Sequence, residues 1–129
     1  MIKEIAEGVI QFAGMSNVYV LLEEKIVIDT GERGDYEELK KAVSDYVNPE
    51  DIRKVIFTHL HYDHTGNVDL FSNAQVYASK KAIVSFEKDP FGTVLNKDIV
   101  ELLQSVKLNP VEDMDGLKII EVPGHTKGS

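Results

Sequence analysis

Four histidines, His59, His61, His64 and His125, are the residues of this sequence best suited to chemistry. Three of them share the segment Thr58-His59-Leu60-His61-Tyr62-Asp63-His64-Thr65-Gly66-Asn67, and the fourth stands in Pro123-Gly124-His125-Thr126. Imidazole is the commonest side-chain ligand for metals at neutral pH, and a carboxylate among imidazoles adds charge and hardness. Residues two apart on an extended segment point the same way, so His59 and His61 can grip a single ion. Asp63 and His64 follow a turn of the chain and could face a second position beside the first. A catalytic zinc keeps three protein ligands and an open position for water. His59 and His61 therefore need one more partner, and His125 is the histidine left to supply it. A solvated or core-satisfied histidine cluster would leave unexplained why all four gather in two strand-end loops around an aspartate.

The surrounding pattern supplies strands to hold these loops. Ile5 to Phe12 is loosely apolar and Val18 to Leu22 is a stronger strand; Glu23-Glu24-Lys25 reads as a hairpin turn, and Ile26-Val27-Ile28 as a short buried strand ending in Asp29-Thr30-Gly31. A helix follows, with Asp35 as its cap and Glu38 reaching back as in a capping box. Its apolar face is Leu39, Ala42, Val43, Tyr46 and Val47, and Asn48-Pro49 ends it. Lys54 to Thr58 is a compact β-run directly before the histidines. Ala74 to Ala78 reads as a strand, Lys80 to Glu87 as a helix, Asp89 to Gly92 as a loop, Lys97 to Val106 as a helix and Leu117 to Val122 as a last strand entering Pro123-Gly124-His125. Strands alternating with helices imply an α/β layered domain with its function at the strand ends.

The totals narrow the function classes. At 129 residues the chain is one domain's worth, 43% hydrophobic and 28% charged, with 22 acidic and 14 basic residues and a net charge of −8. So acidic a surface repels phosphate backbones and anionic lipid, which argues against nucleic-acid and membrane partners. With no cysteine, disulfides, thiolate ligands and a cysteine nucleophile are excluded. The N-terminus lacks the basic and apolar regions of a signal peptide, and no apolar run approaches the ~20 residues of a bilayer span, so the expected location is the cytoplasm.

At this point the sequence resembles the metallo-β-lactamase superfamily, and in particular its glyoxalase II-like metal-dependent hydrolases. The segment from His59 to His64 matches the family's HxHxDH signature, the residues around His125 match its PGHT motif, and Val27 to Gly31 looks like its early Asp-Thr-Gly turn. The resemblance implies that His59, His61 and His125 bind a first metal, that Asp63 and His64 contribute to a second, and that Asp29 supports the site from behind. It implies one or two zinc ions per site, with iron or manganese as alternatives. Asp63 would also orient a metal-activated hydroxide, attacking an ester, thioester or lactone-type bond of a small molecule, and pass a proton to the leaving group. Leu60 and Tyr62 are read as packing or rim residues, and Thr65, Gly66 and Asn67 as shaping the turn. The implied fold is half of the family's αβ/βα sandwich, a mixed β-sheet with flanking helices. Residues 1–129 would form a single, apparently truncated domain, since the family's usual bridging aspartate and last histidine come after PGHT. The isolated chain is then expected to be incomplete, with a homodimer as one way to complete the sandwich.

Two other readings use the same residues. One is an iron-dependent, persulfide dioxygenase-like metalloprotein; the other is an inert truncated or dimerisation module. Ile28-Asp29-Thr30-Gly31 alone mimics the catalytic turn of dimeric aspartic proteases, but that reading leaves every histidine unexplained.

Overall fold

Side chains alternate across a strand, so two apolar stripes on one strand predict a sheet covered on both faces. The computed structural model of the chain describes residues 2–114, and it has such a sheet. Its seven strands lie side by side in chain order: β1 (Ile2–Ala6), β2 (Val9–Ala13), β3 (Asn17–Leu21), β4 (Ile26–Ile28), β5 (Lys54–Ile56), β6 (Gln75–Ala78) and β7 (Leu108–Pro110). The first four are joined by hairpins and run antiparallel; β4 to β7 run parallel, each pair linked by a helical crossover. This is the α/β mixed sheet with flanking helices that the sequence predicts.

One face holds Ile10, Phe12, Val18, Val20, Val27, Val55 and Val76. The same core contains Leu39 and Val43 of α1 (Tyr36–Ser44), Phe86 of α3 (Lys80–Lys88), Val94 of α4 (Pro90–Val94), and Ile99 and Leu103 of α5 (Lys97–Gln104). A second cluster gathers Tyr19, Leu21, Ile26 and Ile28 with Ile5, Val9 and Ile56 packed against it. Each fully buried Val, Leu, Ile or Phe contributes about 1.5–3 kcal/mol. No helix of the described residues is long and apolar enough to cross a membrane.

Four local expectations differ from the structure. The apolar run Ile5 to Phe12 is two strands, broken at Gly8, whose φ of 74° makes the turn from β1 to β2. Asp35 stands at the start of α1 without capping it, because its carboxylate accepts from the Met15 amide at 3.0 Å. The expected loop Asp89 to Gly92 starts a short helix: Pro90 occupies the first helical position and the Asp89 carboxylate accepts from Gly92 N at 3.0 Å. β7 was not among the expected strands; it ends in Pro110 and is the last strand in the order among the described residues, where a missing donor is tolerated. The expected strand Leu117 to Val122 and the Pro123-Gly124-His125 turn lie outside the described residues.

Candidate functional site

β4, β5 and β6 are parallel and in register, with Ile28 beside Ile56 and Ile56 beside Tyr77, so the loops leaving them emerge together. Such carboxyl-end crevices are where open α/β sheets place ligands. The ladder continues a step beyond the strands through Asp29 N to Ile56 O and Phe57 N to Tyr77 O, each 2.9 Å. It thereby carries Asp29, Thr58 and the histidine segment to one edge.

Asp29 sits at φ 61°, a left-handed conformation that Asp and Asn adopt more readily than most residues. That backbone turns its buried carboxylate toward β5. Oδ1 accepts from Thr58 N at 2.8 Å, and Oδ2 accepts from Thr58 Oγ1 at 2.6 Å. Oδ2 also lies 2.9 Å from His64 Nδ1. An ionised carboxylate only accepts, so His64 donates from Nδ1, leaving Nε2 as the nitrogen directed away from Asp29. That nitrogen is 3.8 Å from Asp63 Oδ1.

The histidine loop bends because α2 (Tyr62–Thr65) makes a single helical turn directly after His61. Thr65 Oγ1 donates to His61 O at 3.0 Å inside this turn. The turn is latched to the Asp29-Thr30-Gly31 loop. Thr30 N and Oγ1 donate to His64 O at 2.7 and 2.9 Å, and Gly66 N donates to Gly31 O at 2.9 Å. Asn67 is fully buried, and its Nδ2 donates to Thr30 O and Glu32 O at 2.8 and 2.9 Å, while Oδ1 has no partner among the described residues. Gly66 must be glycine here: a Cβ would stand 2.4 Å from Arg33 N and 2.9 Å from Gly31 O. The Ser16 hydroxyl, in the β2–β3 hairpin, donates to the Asp63 carbonyl.

Three of the four histidines thus come together. The ring centroids of His59 and His64 are 5.0 Å apart and nearly perpendicular; those of His59 and His61 are 6.5 Å apart. Burial first, and then the nearby His64, lower the His59 pKa below its ordinary 6.5, with Asp29 and Asp63 opposing. The hydrogen bond to Asp29 raises His64 above 6.5 against the opposing effect of burial. Leu60 is buried in the core, whereas Tyr62 is exposed at the surface. Among the described residues no three histidine or carboxylate side chains form a complete metal-holding group, and His125 lies outside them. Sequence reasoning missed Ser16, Thr58 and the depth of the Thr30–Asn67 latch.

A sequence profile of the Metallo-beta-lactamase superfamily matches residues 12–129. The chain belongs to the metallo-β-lactamase superfamily. Among relatives of this superfamily, a probable metallo-hydrolase of Methanocaldococcus jannaschii is 38% identical over 105 residues, which cover 81% of this chain and 43% of that protein. The chain therefore spans less than half the length of this relative. A hydroxyacylglutathione hydrolase of Methylobacillus flagellatus is 34% identical over 80 residues, covering 60% of this chain and 28% of the relative. In fold, the metallo-β-lactamase superfamily assignment agrees with a solved metallo-beta-lactamase from Cronobacter sakazakii, a HARLDQ-motif mutant. It superposes with a TM-score of 0.60 at 22% identity over 68% of this chain and 38% of that one.

Proposed function

We propose that this chain carries the metal-binding half of a hydrolase that cleaves ester, thioester or lactone-type bonds in small molecules. The observation that carries the proposal is the Asp29–His64 hydrogen bond at the carboxyl edge of the parallel strands. A carboxylate holding the far nitrogen of a histidine fixes its tautomer and makes the other nitrogen a better ligand. The donor set suits zinc: clustered imidazoles, one adjacent carboxylate and no thiolate. On this reading His59, His61 and His125 would hold a first metal, and Asp63 and His64 would serve a second.

Bound metal supplies a water whose pKa falls to about 7, and it polarises the substrate carbonyl. The remaining work belongs to the chain. Asp63 would orient the attacking water, take the proton that it releases and pass that proton to the leaving group. The lowered pKa of His59 keeps that ring neutral, and so available as a ligand, near neutral pH. Leu60, Thr58 and the Asp29 turn hold the histidine segment in place from below.

The test is metal content per chain after zinc is offered, measured beside hydrolysis of an ester, a thioester and a lactone. Zinc bound, lost in His59→Ala, together with turnover of one of these, supports the reading. Zinc bound without turnover leaves a metal-stabilised module, iron in place of zinc favours the dioxygenase-like alternative, and no bound metal overturns the metalloenzyme.

A further inference from the structure

A crevice of about 300 Å³ opens directly beside His59 and His61. Its far wall is built after β6, from Ser79 at the N-cap of α3, Lys81 and Ser85 within that helix, and Thr93 of α4. Among the described residues no aspartate or glutamate lines it, although the chain has 22 acidic residues and a net charge of −8. The two neighbouring lysines have different roles. Lys80 is engaged with the 3₁₀ turn Val111–Asp113: its amide donates to Glu112 at 3.0 Å and its ammonium lies 3.8 Å from Asp113. Lys81, one position on, is an exposed residue lining the crevice and has no ion pair among the described residues.

We propose that Lys81 is a specificity-determining residue that binds a negatively charged group of the substrate, with Ser85 and Thr93 as neutral hydrogen-bond partners. The inference rests on the hydrolase reading above and adds the substrate class: an acyl compound carrying a carboxylate away from its scissile bond. The surroundings favour this pairing. A cationic ammonium on a flexible stem serves as a point charge for an anion, and the hydroxyls around it can donate while Leu60 and Ala82 carry the apolar linker. The Lys81 ammonium also draws an anion through the otherwise repulsive field of an acidic protein.

The experiment uses the zinc-loaded full chain with mono-4-nitrophenyl adipate and its neutral methyl ester as paired substrates. The anionic ester is expected to have the higher kcat/KM. Lys81→Gln should raise its KM about tenfold with kcat unchanged, equivalent to about 1.4 kcal/mol, and leave the neutral ester unaffected. Lys81→Arg, which keeps the charge, should restore most of the loss. Equal effects of Lys81→Gln on both esters, or none on either, overturn the proposal. A second readout needs no turnover: in the metal-free chain, amide NMR shifts of Lys81 and Ser85 should titrate saturably with monomethyl adipate and not with dimethyl adipate. Failure of both esters to react sinks the hydrolase reading alone. Absence of that titration, or its persistence in Lys81→Gln, sinks the anion site.

Discussion

Replacing Asp29 by asparagine tests the proposed role of the buried carboxylate while keeping size and a side chain at ease with φ 61°. The amide oxygen can still accept from Thr58 N, and Thr58 Oγ1 can turn to accept from the new NH₂ group. His64 cannot adapt in the same way. An NH₂ group facing its Nδ1 forces that nitrogen to accept, and the ring proton moves to Nε2, the atom proposed above to hold the metal. The expected loss of zinc affinity is about 10- to 100-fold, or about 1.4–2.7 kcal/mol, measured by competition with a chromophoric chelator. The metal-free chain gives an independent check. Asp29 raises the folded pKa of His64, so the pair's contribution to stability is fully present below about 6.5 and is lost as pH rises through the folded value. Asp29→Asn should therefore destabilise the metal-free protein more at pH about 5.5 than at about 8.5. In ring NMR its His64 should titrate below 6.5, since burial remains when the raising partner is gone. A His64 that still titrates above 6.5, or zinc affinity equal to wild type, would refute the reasoning.

Other expectations follow from single contacts. Gly66→Ala pushes a methyl against Arg33 N and should lower stability by at least about 1–3 kcal/mol in urea denaturation while weakening zinc binding, because the latch and His64 move together. Phe57→Ala empties a fully buried position under the histidine loop and should cost about 3–5 kcal/mol, read as a lower midpoint with unchanged m-value. Arg33→Ala removes an exposed pair with Asp69 at 2.6 Å, and it should change stability by no more than about 1 kcal/mol despite that short distance. His59 has the opposite pH sign to His64. Its lowered pKa contributes stability above about 6.5 that is lost on acidification, so His59→Gln should flatten the acid side of the stability profile of the metal-free chain.

The histidine cluster was legible because ligand chemistry leaves a dense local trace from His59 to His64. The strands from Val18 to Ala78 were legible from their apolar runs, and α3 and α5 were expected within two residues of their observed ends; Ser79 and Asn96 cap them in the structure. What misled was chemistry with a distant partner. Asp35 has the spacing of a capping box, yet the Met15 amide twenty residues away claims its carboxylate. Asp89-Pro90-Phe91-Gly92 carries loop residues that serve equally well to open a helix. Thr58 left no signal and Asn67 was read only as shaping a turn, since a hydroxyl and an amide become specific only when folding brings Asp29 and Thr30 to them.

The latch between the two turns joins residues 34 to 37 positions apart, with β4 and β5 paired at its base. The chain between them, through α1 and the Pro49–Asp51 turn, is a closed loop whose ends are pinned independently of its length. Doubling such a loop adds only about 0.6 kcal/mol of closure entropy. Insertions at the exposed Asp45–Tyr46 end of α1 should therefore leave the histidine geometry intact. A single inserted residue between Asp29 and Gly31, or between His64 and Asn67, would break the latch. The site is thus brittle to changes of length over a few positions and indifferent to them over the crossover that connects those positions.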